Sequence, residues 1–256
     1  ALVQGNIPQS LHVDSERINM IIGKYWSLSR DLFKDHDLVI WPESALPLTI
    51  ESSLALLSDL NAVAYENKSN LATGLLSTAN GKIFNSILVL GKDKDLSDFS
   101  AYNKRKLVPF GEYVPFASVL RPLGKIFNIP MSSFSKGLSE QKPLEAANIK
   151  FTPAICYEAI YPEVISSINN DKTQAILMVS NDSWFGPTRA PWQHLNMARM
   201  RSLELQKPML RCTNSGVTTI IDPQGNLEKI IDSDKEGVLS ANFKTYKGLT
   251  PYAKYG

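Results

Sequence analysis

Cysteine is scarce in this chain, with two residues, Cys156 and Cys212, among 256. They do not form a C-x-x-C pair, which argues against a disulfide framework and against a structural zinc site. Charge of one sign is lacking too. Twenty-seven Lys and Arg face 25 Asp and Glu for a net charge of +2. With no Lys/Arg block or finger spacing, nucleic acid is not an expected partner. Long apolar runs are missing. The longest aliphatic run, Ala175–Val179, falls far short of the ~20 residues that cross a bilayer. These residues therefore hold no spanning helix and no signal peptide. The chain opens at Ala1, without Met, on a strand-like run, and reads as a segment of something longer or as a processed chain. There is no internal repeat. Nor is there a Gly-x-Ser-x-Gly elbow, a phosphate loop or a His-Glu-x-x-His pair, which disfavours serine-hydrolase, nucleotide and zinc-protease chemistry.

What is present is ordinary globular composition, 43% hydrophobic and 20% charged, over a length suited to one large domain or two small ones. Strand-like and helix-like stretches alternate. Strands are expected at 1–5, 37–41, 71–76, 84–90, 149–157, 174–181 and 209–213, with a hairpin at 217–222 and 227–231. Helices are expected after Asp14 as N-cap, at 52–68, at 162–169 and at 194–206. Residues 92–142 read as a long, proline-punctuated loop, of the kind that is usually functional or disordered. The alternation implies an α/β layered domain covering 1–256. In such domains functional side chains gather just beyond strand ends.

Three residues fit that rule. Glu43 follows the strand 37–41 and is bracketed by Pro42 and Pro47, which stiffen its backbone. Lys104 lies in Tyr102-Asn-Lys-Arg-Lys-Leu-Val-Pro-Phe-Gly-Glu112, where the apolar stretch after the cations argues against a wholly solvated segment. A fixed ammonium there would stabilise an oxyanion. Cys156 closes a strand and leads into a helix, whose positive end would lower its thiol pKa. Taken singly, each has an ordinary reading: a strand-end carboxylate, a solvated cation, a buried small hydrophobe. Cys212, inside Leu210-Arg-Cys-Thr213, reads as sheet interior. His194 sits in a helical stretch that nothing in the spacing brings to Cys156, so a structural or surface role is expected.

Taken together, in order, Trp41-Pro-Glu43, the Lys104–Glu112 motif and Ile155-Cys-Tyr-Glu158 resemble the nitrilase (carbon–nitrogen hydrolase) superfamily. Further motifs at 1–9, 130–134, 180–186, 191–201 and 248–252 narrow the likeness to its membrane-attached branch, the bacterial apolipoprotein N-acyltransferases, over nearly the whole chain. The resemblance implies a nitrilase-like α-β-β-α sandwich and a Glu43–Lys104–Cys156 triad, with no cofactor and no metal. It implies transfer of a phospholipid acyl chain, through a Cys156 thioester, to the α-amine of a diacylglyceryl-cysteine apolipoprotein. The implied place is the extracytoplasmic face of the bacterial inner membrane. By the same likeness Glu112 positions Lys104, the Tyr157 backbone N–H helps hold the oxyanion, and Glu158 flanks the nucleophile. Trp184 and Phe185 would line the acyl site.

The near-helical recurrence of apolar residues over 116–131, including Leu120 and Phe127, with Arg121 and Lys125 between them, suits an arm resting on a membrane surface. Two positions depart from the pattern: Lys106, where many relatives carry His, and Val13, where some carry Trp. The triad alone does not separate an acyltransferase from an amidase or nitrilase that hydrolyses a small amide or nitrile, because the nucleophilic chemistry is shared.

Overall fold

The computed structural model describes residues 1–8, 15–96, 99–115 and 134–256. The expectations placed on Asp14, Val13, Leu120 and Phe127 lie outside them. In chain order the strands are β1 (Leu2–Gln4), β2 (Leu38–Ile40), β3 (Asn70–Ala79), β4 (Lys82–Leu90), β5 (Ser100–Asn103), β6 (Leu144–Ala146), β7 (Ile149–Ile155), β8 (Ala175–Ser180), β9 (Met209–Thr213), β10 (Thr218–Ile221), β11 (Leu227–Ile231) and β12 (Gly237–Leu239). The helices are α1 (Ser15–Ser29), α2 (Leu54–Glu66), α3 (Pro162–Ser166), α4 (Ala190–Leu205) and α5 (Pro251–Tyr255).

Two six-stranded sheets form, ordered β12-β1-β2-β3-β4-β5 and β11-β10-β9-β8-β7-β6. Each has the same plan. Three central strands run parallel, β1-β2-β3 in one and β7-β8-β9 in the other, and antiparallel partners flank them. The period-2 alternation of side chains assigns each strand residue to a layer. In β2, Leu38 and Ile40 face the other sheet and meet Leu177 and Val179 of β8 in a shared inter-sheet core. Val39 and the next residue, Trp41, point outward into a cluster with Tyr25 of α1 and Leu57 and Leu60 of α2. In β8, Ile176 and Met178 face Leu195 and Ala198 of α4. The layers are helix, sheet, sheet, helix: the expected α-β-β-α sandwich.

Among its described residues, the long stretch at 92–142 carries one short strand. β5 lies within it and β6 just after it, on the two sheet edges, and β12 forms a third short strand that the apolar pattern does not announce. Among the described residues no helix is long and apolar enough to cross a membrane.

Candidate active site

Glu43 sits in a tight turn directly after β2. The turn is pinned to β3, with the Gly74 N–H donating to the Pro42 carbonyl at 3.2 Å and the Leu46 N–H to the Gly74 carbonyl at 3.1 Å. Gly74 is required there, since a Cβ would lie 2.5 Å from the Pro42 carbonyl oxygen and 2.6 Å from the Glu43 Cα. Beneath the turn, Trp41 stacks on Tyr25 with ring centroids 5.5 Å apart and donates its indole N–H to the Ser29 hydroxyl at 3.1 Å.

Lys104 continues the β5 pairing, its N–H donating to the Asn85 carbonyl at 2.8 Å. Its side chain is 1% exposed and reaches two carboxylates, Glu43 Oε1 at 3.1 Å and Glu112 Oε1 at 2.9 Å. Burial works against the ammonium, but Glu43, Cys156 and Glu112 together hold its pKa above the usual lysine range. Lys104 is thus a fixed cation throughout the physiological range. Asn85, unremarkable in the sequence, donates from one amide nitrogen to both carboxylates, at 2.7 Å to Glu43 and 3.0 Å to Glu112. Glu112 is held in turn by the Val108 N–H at 2.9 Å.

The second sheet contributes the thiol. Cys156 follows β7 at φ = 50°, a left-handed conformation that a non-glycine residue adopts at a cost. It opens a five-residue 3-10 turn, Cys156–Ile160, rather than a regular helix. The expected lowering of its pKa by a helix end is not found. Burial pushes the thiol well up and the Glu43 carboxylate adds to this, while Lys104 pulls the other way without prevailing. The resting group is a thiol. Glu43 also reaches the second sheet, where its Oε2 accepts the Asn181 N–H beyond β8 at 2.7 Å.

Glu158 is fully buried and ties the Lys104 segment to the thiol segment. One oxygen accepts from the Tyr102 hydroxyl at 2.8 Å and the Arg105 and Lys106 N–H groups at 2.6 and 3.2 Å; the other accepts the Ile155 N–H at 2.9 Å. Burial raises its carboxyl pKa against these donors. Lys106 itself is partly exposed, pairs with Glu163 at 3.7 Å and lies over the Tyr161 ring. Tyr157 is half-buried and its hydroxyl accepts from that of Tyr161 at 3.1 Å. Trp184 and Phe185 end the turn after β8, and Trp184 is 61% exposed, so it is no part of the core.

His194 fits the structural role expected of it, but the fold brings it to Cys156, which its spacing does not foretell. It is 5% exposed on α4, and its two ring nitrogens face the Asp182 carboxylate and the Cys156 carbonyl, each at 3.0 Å. Helical spacing alone hides this, because β8, α4 and the Cys156 turn converge only in the folded chain. Cys212, as expected, is buried in β9, and its S–H faces the Val3 and Ile40 carbonyls.

A four-layer sandwich carrying a buried Glu–Lys–Glu cluster and a thiol on a strained turn defines a class of protein, and the chain belongs to it: the carbon–nitrogen hydrolase family, whose model matches residues 1–247. Within that family it is 41% identical, over its whole length, to the apolipoprotein N-acyltransferase of Shewanella oneidensis, of which it covers 51%. The chain spans about half the length of the relatives it matches. Among solved structures it is similar to a carbon–nitrogen hydrolase from Helicobacter pylori (16% identity, TM-score 0.63, 88% of this chain and 84% of that one). It is also similar to an amidase from Nesterenkonia (15% identity, TM-score 0.63, 100% and 91%).

Proposed function

We propose that this domain is the catalytic part of an N-acyltransferase that moves a fatty acyl chain from a phospholipid to the α-amine of a diacylglyceryl-cysteine apolipoprotein, with Cys156 as nucleophile. The observation that carries the chemistry is the buried cation Lys104 bound to Glu43 and Glu112. The acceptor and donor are drawn from the 41% identity to the Shewanella acyltransferase. The same residues would serve an amidase, but the amidases of like fold share only about one residue in seven with this chain.

In the first half-reaction Glu43 takes the Cys156 proton as sulfur attacks the ester carbonyl. Lys104 and the Tyr157 N–H hold the oxyanion. Collapse expels the lysophospholipid alkoxide, which takes the proton back from Glu43 and leaves an acyl thioester. In the second half-reaction the lipoprotein amine attacks the thioester and gives a proton to Glu43. The second collapse expels the Cys156 thiolate, which recovers that proton. Glu112 and Asn85 keep Lys104 and Glu43 in register throughout.

Phospholipid and lipoprotein substrates suit a domain working at the bacterial inner membrane, and the likeness to the acyltransferases supports its extracytoplasmic face. Trp184 and Phe185, exposed beside the turn after β8, are suited to meeting acyl chains there. The test is incubation of the full chain with phosphatidylethanolamine vesicles and a diacylated lipopeptide. The wild type converts the lipopeptide to its triacylated form and Cys156→Ser does not. Release of free fatty acid with no lipopeptide product would favour hydrolysis and overturn the reading.

A further inference from the structure

We propose that His194, held by Asp182, is a positioning residue that aims the Tyr157 N–H at the oxyanion by fixing the carbonyl of Cys156. The inference rests on the acyl-transfer reading above and deepens it.

The hydrogen-bond chemistry leaves one assignment for the ring atom that matters. His194 Nε2 lies 3.0 Å from the Cys156 carbonyl oxygen. A carbonyl oxygen only accepts, so Nε2 carries the hydrogen and donates. The other nitrogen, Nδ1, lies 3.0 Å from Asp182 Oδ1 and 3.1 Å from an Arg211 guanidinium nitrogen. It donates to Asp182 when the ring is charged, or accepts from Arg211 when the ring is neutral. Donation to Cys156 persists in both states.

The dyad is itself immobile. Asp182 is 2% exposed. It accepts from the Ser180 hydroxyl at 2.6 Å through Oδ1 and from Arg211 at 2.9 Å through Oδ2. Arg211 is anchored on the Val217 carbonyl. Gly216 leaves room for the Asp182 carboxylate where any Cβ would collide with it. No rotation of His194 is available without breaking this set.

A trans peptide is planar, with its C=O and N–H antiparallel. Holding the Cys156 oxygen from the α4 side therefore points the Tyr157 N–H away from His194. That N–H stands in the first turn of the 3-10 segment, where no partner exists within the turn. Cys156 is at φ = 50°, a strained conformation that persists only when its surroundings over-determine it. The Ile155 N–H is held by Glu158 on one side and the Cys156 carbonyl by His194 on the other. Together they lock the turn in the orientation that the oxyanion needs.

An amide pair separates the two contacts of His194. The Asn side chain reaches about where Nδ1 lies, and the Gln amide nitrogen about where Nε2 lies. In the full chain, acylation of Cys156 by phosphatidylethanolamine vesicles is followed in a single turnover, and alkylation of the same thiol by iodoacetamide in parallel. Alkylation forms no oxyanion and so does not consult the Tyr157 N–H. His194→Asn should slow acylation by about 30-fold or more, approaching the roughly 10²–10³ that outright loss of an oxyanion donor costs, since the N–H is misaimed and not removed. Its alkylation rate should stay within about threefold, and the vesicle concentration for half-maximal rate should not change. His194→Gln should recover most of the acylation rate. The proposal is overturned if Asn and Gln behave alike, or if acylation and alkylation fall together. A wild type that shows no acylation at all would instead overturn the acyl-transfer reading itself.

Discussion

A carboxylate oxygen has two lone-pair directions. In Glu43, Oε1 uses both, one for Lys104 and one for Asn85, while Oε2 uses one for the Asn181 N–H. One direction on Oε2 remains, and the proposed chemistry assigns it to the thiol proton. The same carboxylate helps keep Cys156 protonated at rest, after burial itself. Glu43→Gln thus has two opposite effects. Loss of the base should cut the acylation rate by about 10²–10⁴. Loss of the negative charge should move the midpoint of iodoacetamide alkylation to lower pH, since one cause of the raised thiol pKa is gone. Stopped-flow acylation and a pH series of alkylation rates check both. An unchanged acylation rate, or a midpoint moved upward, would remove Glu43 from the base role.

At the scale of elements, the site depends on strands that carry no catalytic group. Gly74 of β3 lies under the Glu43 turn, and Gly74→Ala would push Pro42, Glu43 and Ser44 away. Overpacking of this kind costs about 1–3 kcal/mol of stability, while a displaced base costs rate far more steeply. Turnover should fall roughly 10- to 100-fold in protein that remains folded, measured against Tm on the same sample. Normal turnover with a lowered Tm would show that the turn does not need this close approach.

The longer elements were legible from the chain because their residues alternate or recur with the right period. β9 at Met209–Thr213 and β11 at Leu227–Ile231 match their expected bounds. β5, β6 and β12 were not legible. Each has three or four residues set among polar neighbours, unlike the equally short but more continuously apolar β2, and each takes its form from the neighbour it pairs with. Glu43, Lys104, Cys156 and Glu112 stand in motifs readable from the chain, and the fold brings Glu43, Lys104 and Glu112 into contact. Asn85, the Asn181 N–H and the Asp182–His194 pair were not readable, because a bridging amide, a backbone donor and a histidine on another layer have no local signature.

At the scale of the molecule, the site is one of several places where the two sheets are stitched together. Glu43 bonds Asn181, Tyr102 bonds Glu158, Thr213 bonds Gln4, and the Cys212 S–H faces Val3 and Ile40. With so many bonds between layers, residues 1–256 should unfold as one domain, with far-UV ellipticity and tryptophan fluorescence changing together; separated transitions would divide it. Burial also holds two thiols and two phenols in their neutral forms: Cys212 is pushed up to about 12, and Cys156, Tyr25 and Tyr102 are raised as well. A raised folded-state pKa favours the protonated state of the fold. That stability is whole below the ordinary thiol value of 9.0 and is lost as pH rises toward the folded values. Tm should therefore fall progressively above about pH 9, and a flat or rising alkaline limb would contradict the burial of these groups.

The claim on which the rest depends is that Cys156 carries the acyl chain. The full chain, incubated with phosphatidylethanolamine vesicles of one defined acyl composition and no acceptor, then acid-quenched and digested, tests it directly by peptide mass spectrometry. A single added acyl group is expected on the peptide bearing Cys156, removed by neutral hydroxylamine and discharged by addition of a diacylated lipopeptide. Transfer to the lipopeptide by an enzyme that never shows this adduct, or an adduct on Cys212 in its place, would contradict it.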